Sequence, residues 1–279
     1  PLMMLIMNGT IILIYFVGAK HIDAGTMQVG TLTALISYTM QVIMSFLMLS
    51  MLSIMAPRAI ISINRIKEVL NKENSIKETK NLPFDNDKIG ELEFKNVSFK
   101  YPDGDEYVLE NLNFKVPKGS TLAIIGSTGS GKSTIVKLID RFFDVTEGSI
   151  LVNGVDVKDL SFETLRHEIG MVPQKGMLFS GTIESNLKFG NDSLSEEDME
   201  KSLKVACAYD FVMEKNEGLQ YPINQGGTNV SGGQRQRLCI ARAVAMNPDI
   251  YVFDDSFSAL DYKTDASVRK NLNKYCESA

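Results

Sequence analysis

The sequence predicts an α/β domain built round a phosphate-cradling loop, fused to an all-α segment that crosses a membrane. Three observations carry this. Residues Gly126-Ser127-Thr128-Gly129-Ser130-Gly131-Lys132-Ser133 fit the spacing GxxxxGK[ST], with an apolar run before them and a helical stretch after them. Ile250-Tyr251-Val252-Phe253-Asp254 is a second apolar run, ending on a carboxylate. Leu2 to Ala19 and Leu32 to Met55 are each apolar enough for a bilayer span, which takes about 20 such residues.

Composition sets the frame. The 279 residues suggest two domains, and a formal charge of −5 lacks the basic footprint of nucleic-acid binding. Charge is split along the chain: up to Ala56 the only charged side chains are Lys20 and Asp23. Cys207, Cys239 and Cys276 form no ligand spacing and read as reduced, mostly buried thiols. The start at Pro1, inside an apolar run, lacks the charged opening and cleavage site of a signal peptide, and the chain reads as a fragment.

The elements follow in order. The expected organisation is a membrane segment over 1–70 (spans about 2–19 and 31–56, then a stalk helix), a linker over 71–90, and a nucleotide-binding domain over 91–279. Lys20 to Gly30 is a short polar loop between the spans. Arg58, Arg65 and Lys67 follow the second span, so that end is expected to be cytoplasmic and the loop to face outward. Two buried helices of a larger soluble protein are the alternative. Asn71 to Gly90 is polar and holds a proline, as linkers do. Glu91 to Phe99 alternates imperfectly, as a bulged strand would, and Val108 to Val116 alternates again. Thr121 to Ile125 is continuously apolar, the pattern of a strand covered on both faces. Ser133 to Phe143 reads as helix and Ser149 to Val152 as strand. Thr182 to Glu217 reads as mostly helix, with a start at Ser195-Glu-Glu-Asp. Gly232 to Met246 is a helix stopped by Asn247-Pro248, and Ile250 to Phe253 a second buried strand.

The chemistry sits at the ends of these elements. Glycines let the 126–133 backbone curl so that its N–H groups, with the following helix N-terminus, face anionic oxygens. Lys132 would reach the β- and γ-phosphates and Ser133 would ligate Mg²⁺. A strand-end Asp254 is placed to orient that metal. Asn229-Val-Ser-Gly-Gly-Gln-Arg-Gln-Arg237 is another glycine-rich helix start, where Ser231 can cap and free N–H groups favour a second anion contact.

These residues resemble the ATP-binding cassette (ABC) exporters. SGGQRQR is similar to the family's signature, so Ser231, Gly232, Gly233 and Gln234 would serve a partner's ATP. Gly126 to Thr134 is similar to the Walker A loop. The resemblance implies that Tyr101, in Phe99-Lys-Tyr-Pro, stacks on adenine. It implies that Gln174, in Met171-Val-Pro-Gln, touches Mg²⁺ or water and reports to the membrane half. Ser258, Ala259, Leu260 and Asp261 match the D-loop. The implied fold is a RecA-like core with an antiparallel β subdomain and an α-helical signature subdomain. The implied ligands are ATP and Mg²⁺, and the implied partner is a second half-transporter. The implied place is the cell membrane, multi-pass and in contact with lipid, with the nucleotide-binding domain cytoplasmic. The exported class would be a small molecule, lipid or peptide, of hydrophobic or amphipathic character.

The chain departs from the family at Asp255, where Glu usually polarises the attacking water. Asp is shorter by about 1.5 Å, one C–C bond, and a 1 Å misplacement costs on the order of 100-fold in rate. With an intact signature, and with Gln225 and Gly226 where Glu and Arg usually stand, the pattern resembles the slow-site subunit of a heterodimeric exporter. A homodimer using Asp255, or a nucleotide-sensing regulatory subunit, stays open. The chain stops before the family's switch histidine, and neither His21 nor His167 is placed to replace it. In the second span Thr33, Ser37, Gln41 and Ser45 recur every four residues beside a methionine stripe, Met40 to Met55. That face would line a cargo pathway or pack against other helices.

Overall fold

The computed structural model describes residues 2–78, 80–276 and 279, in two compact units, Pro1–Asn74 and Ser75–Ala279. The first unit is a helical hairpin, α1 (Leu2–Asp23) and α2 (Val29–Leu70). Its mean hydropathy reaches 1.7 and 1.8 in the two helices, and both are long enough to cross a membrane. The Leu32 side chain packs over Gly18, and it is the only buried residue described in α2. Helix α2 runs unbroken past Pro57. Thr26 closes the turn by donating to the His21 carbonyl at 3.0 Å. The hydroxyls of Thr33, Ser37 and Ser45 each donate to the carbonyl four residues back, so the helix satisfies its own polar groups.

The second unit opens with β1 (Leu92–Phe99) and β2 (Leu109–Val116). Then come α3 (Lys132–Ile139), β3 (Glu147–Val152) and β4 (Val155–Asp156). These strands form an antiparallel sheet in the order β2-β1-β3-β4. The imperfect alternation of β1 is a real irregularity: its register against β3 shifts between Lys95 and Ser98, where Asn96 takes a φ of 50°. Phe94, Val97 and Phe99 bury one face of the sheet against Leu138 and Ile139 of α3. Next, α4 (Phe162–Glu168) leads into β5 (Ile169–Val172). The helical region follows with β6 (Gly181–Thr182), α5 (Ile183–Leu187), α6 (Glu196–Val205) and α7 (Tyr209–Met213). It continues with β7 (Pro222–Ile223) and α8 (Gly232–Ala245). Last are β8 (Ile250–Phe253), parallel to β5 with Val172 opposite Phe253, and α9 (Tyr262–Tyr275).

Two expectations are corrected. Thr121 to Ile125 is not a strand: among the described residues β8 pairs with β5 alone, and Ile125 is 92% exposed. An apolar run reports avoidance of water and does not name the strand that would pair its amides. Helix α3 ends at Ile139, short of Phe143, because Arg141 takes a left-handed φ of 52°. The 182–217 stretch is mostly helix as expected, in three pieces, α5, α6 and α7, with Ser195 capping α6; the breaks fall where Asn191 is extended and Cys207 has a φ of 51°.

The polar segment ahead of β1 is strapped to this unit. The Arg141 guanidinium, 2% exposed, donates to the carbonyls of Lys77, Val157 and Leu160 and pairs with Asp144 at 2.9 Å. Glu78 accepts from the Phe162 amide, Leu82 donates to the Asp159 carbonyl, and Asn153 takes the Gly90 amide at 2.8 Å. Beside Arg141, Asp140 ends α3. Burial pushes its carboxyl up to about 7, against the pull of Arg166.

Candidate nucleotide site

The phosphate loop ends on Gly131, which caps α3 with a φ of 88°. A side chain there would be strained, and its Cβ would come within 2.7 Å of Leu109. The Lys132 ammonium lies inside the loop, donating to the carbonyls of Gly126 at 2.8 Å and Ser127 at 2.7 Å. Thr134 and Ile135 both bond the Gly131 carbonyl, while the first N–H groups of a helix have no partner within it. A cation and unpaired amides thus converge where an anion would sit.

Four more side chains meet at the carboxyl ends of β5 and β8. The Ser133 hydroxyl donates to Asp254 Oδ1 at 3.0 Å, and Gln174 Nε2 donates to Asp255 Oδ2 at 3.0 Å. Asp254 and Ser256 both bond the Val172 carbonyl, which clamps the two strand ends together. Asp255 takes a φ of 47°, and Ser258 donates to its carbonyl at 2.9 Å. A cleft of about 530 Å³ opens here, lined by Lys137, Phe142, Phe143, Met171, Gln174 and Asp254. A larger cavity, about 620 Å³, lies among α5, α6 and α7 and holds none of these residues.

A hydroxyl and one carboxylate suit Mg²⁺, which takes few protein oxygens and completes its shell with water and phosphate. Among the described residues no group of three His, Cys, Asp or Glu could hold a metal unaided. The donor set therefore fits a metal brought with a triphosphate.

Tyr101 is half-buried, edge-on to Phe99 at 5.0 Å and Phe143 at 5.2 Å, with its hydroxyl 3.1 Å from Thr134 on α3. It is thereby tied to the helix that carries Lys132 and Ser133. Ser231 caps α8: its hydroxyl accepts from the Gln234 amide at 3.2 Å, and Gln234 Oε1 accepts from the Ser231 amide at 3.1 Å. Gly232 faces open space, and Gly233 lies against the Ala259 carbonyl. Leu260 closes a turn onto Phe257, and Asp261 caps α9, accepting from the Thr264 hydroxyl at 2.7 Å and the Thr264 amide at 3.1 Å, which together hold its carboxyl below the usual range. Among the described residues no hydrogen bond joins 231–234 to the phosphate loop. The structure thus brings Lys132, Ser133, Gln174, Asp254 and Asp255 together, with Tyr101 linked through Thr134, and the signature is not among the residues hydrogen-bonded to them. His167 is exposed on α4. Sequence reasoning passed over Gln236 and Ser256. The signal available for Gln236 was a polar residue on the buried face of a helix; Ser256 lies in a turn beyond β8, where no periodic pattern marks it.

Residues 109–258 match the family model described as ABC transporter. The chain belongs to the ABC transporter family. It is 45% identical over 278 residues to an uncharacterized ABC transporter ATP-binding protein of Mycobacterium tuberculosis, covering 98% of this chain and 47% of that one. It is 34% identical to the alpha-hemolysin translocation ATP-binding protein of Escherichia coli O157:H7, covering 98% and 38%. Among solved structures it resembles a bacterial Atm1-family ABC exporter with ATP bound, at a TM-score of 0.74 and 32% identity, over 91% of this chain and 44% of that one. The chain spans about half the length of the first of these relatives. The ABC chain thus carries an ABC-type ATPase domain of exporter kinship, and its fold matches that of an exporter.

Proposed function

We propose that this chain is the ATP-binding part of an ABC exporter subunit, multi-pass in a membrane, with its ATPase domain in the cytoplasm. In this reading 1–70 is the end of the membrane domain, 71–90 joins it to the ATPase domain, and 91–279 is that domain with a RecA-like core. The observation that carries it is the convergence of Ser133–Asp254 with Gln174–Asp255 at the ends of two parallel strands, while Ser231 caps a separate helix.

The roles follow from these positions. Tyr101 offers a face to adenine. Gly126 to Thr134 wraps the phosphates, with Lys132 exchanging its loop carbonyls for β- and γ-oxygens. Ser133 and Asp254 hold the metal, Gln174 reaches metal or water, and Asp255 polarises the attacking water. Bound Mg²⁺ supplies neutralisation of the charge on the transferring phosphoryl group. Ser231 to Gln234 grips ATP held by a second half-transporter, and Ser258 to Asp261 lies along the shared seam. Because Asp255 is short, this chain's own ATP turns over slowly, and the competent site uses the partner's carboxylate and this chain's signature. That makes the assembly a heterodimer exporting hydrophobic or amphipathic cargo.

Changing Lys132, and separately the partner's corresponding lysine, tests this. Turnover should survive the first change far better than the second. Equal loss would remove the slow-site reading. The second reading, a nucleotide-sensing regulatory subunit, is favoured by the Gln174–Asp255 bond, which occupies the carboxylate. It predicts that ATP stays bound through many turnovers of the partner.

A further inference from the structure

The bend that carries Gln174 lies between β5 and β6, and a side chain with no role so far fastens it. Gln236 of α8 is 2% exposed. Its amide spans the bend: Nε2 donates to the Pro173 carbonyl at 3.2 Å, and Oε1 accepts from the Gly176 amide at 3.0 Å. The next positions on the same helical face continue the grip. Cys239 Sγ and Arg242 Nη2 both donate to the Met177 carbonyl, at 3.5 and 3.0 Å. The approach is close enough to demand glycine at 176, where a Cβ would lie 2.8 Å from Gln236 Oε1 and 2.9 Å from Cys239 Sγ.

A methionine would fill the same space without burying an amide, so packing alone does not account for a glutamine here. What the amide does is bond the residues on both sides of Gln174 and Lys175. The same helix begins at Ser231, whose hydroxyl caps it. One helix therefore carries the signature at its tip and the Gln174 bend on its flank.

We propose that Gln236 is a positioning residue. Its amide sets where Gln174 stands relative to Asp255 and the Ser133–Asp254 pair, and it makes that position move with Ser231. The signature engaged with the partner's nucleotide is thereby linked, inside one chain, to the metal end of this chain's own site. This rests on the reading that Gln174 serves the metal or its water.

The test uses the full chain assembled with a partner whose own phosphate-loop lysine is changed, so that retained ATP reports this chain's site. The readouts are the half-saturating Mg²⁺ concentration for ATP retention and the affinity for ATP in the presence of a chelator. Gln236→Met should raise the Mg²⁺ requirement about fivefold, the scale of one or two lost hydrogen bonds, and leave metal-free affinity unchanged. Gln236→Glu, which keeps the acceptor and loses the donor, should fall between. Gln174→Ala should act like Gln236→Met, and the double variant should be no worse than Gln174→Ala alone. Hydrogen exchange should speed up at the Gly176 amide while the α8 amides stay protected. If Gln236→Met does not assemble, Gly176→Ala displaces the bend with Gln236 intact and should raise the Mg²⁺ requirement likewise. Loss of metal-free affinity in step with the metal effect, or multiplying effects in the double variant, would overturn the proposal. An unchanged Mg²⁺ requirement in Gln174→Ala would instead remove the reading of Gln174 beneath it.

Discussion

Gln174 and Asp255 stand in register: each lies two residues beyond a paired strand end, Val172 opposite Phe253, and their side chains meet at 3.0 Å. The bond spans the two carboxyl ends of the parallel pair. It holds the Asp255 carboxylate to the glutamine in the same place where a longer acid would reach further into the cleft.

Restoring that reach should restore turnover. Asp255→Glu is expected to raise ATP hydrolysis of the assembly by at least tenfold when the partner's site is silenced, since an error near 1 Å costs on the order of 100-fold. Asp255→Asn should lower it further. A glutamate that leaves the rate of the silenced assembly where it was would show that carboxylate length is not what limits this site.

Ser231 does two things, and they separate by substitution. Ser231→Ala loses the cap of α8 and should cost about 1 kcal/mol, a fall in Tm of roughly 2–4 °C for a domain of this size. Ser231→Asp keeps a good cap but sets a negative charge where a phosphate is expected. It should hold Tm and abolish ATP hydrolysis by the assembly, read by thermal unfolding and phosphate release. Activity retained in the aspartate variant would mean that no phosphate comes to Ser231.

Asp140 predicts a pH dependence. Its carboxyl rises from 3.8 to about 7 on burial, so between those values the folded chain binds more protons than the unfolded one. Stability contributed here therefore falls as pH rises through that window and stays lost above it. Asp140→Asn should stabilise the fold relative to the parent near pH 8, by about 4 kcal/mol at most on a shift of this size, read as a raised Tm, and the gain should shrink toward pH 4. A gain that is constant across this range would mean that the carboxyl does not titrate there.

The membrane helix offers a labelling test. Thr33, Ser37 and Ser45 spend their hydroxyls on their own helix, which leaves Gln41 and Met48 as the positions that report on water. If this face lines a pathway, cysteines there should react with aqueous thiol reagents in at least one nucleotide state. Protection in every state would assign the face to helix packing.

Much of the site was legible because its chemistry is local. The strand-end Asp254 and the capping serines Ser195 and Ser231 each use neighbours in sequence, and each stands as local rules require. The bulge in β1 was readable from one break in alternation. What escaped was long-range. Gln236 bonds a bend 60 residues away, and Arg141 reaches Lys77 across 64. Composition reads both as surface residues, because a polar side chain is buried only when a distant partner meets it. The 121–125 run failed for the converse reason, since hydrophobicity alone supplies no ladder.

The grip of Arg141 on Lys77 has a practical corollary for anyone cutting this polypeptide. An excised ATPase fragment begun at Leu92 would look tidy by strand boundaries, yet it would leave a nearly solvent-free guanidinium facing nothing at one of its acceptors, together with vacant seats at Phe162 and Asn153. Cloning from Ser75 keeps the natural occupant of each seat, and the difference should appear as soluble yield before any activity is assayed.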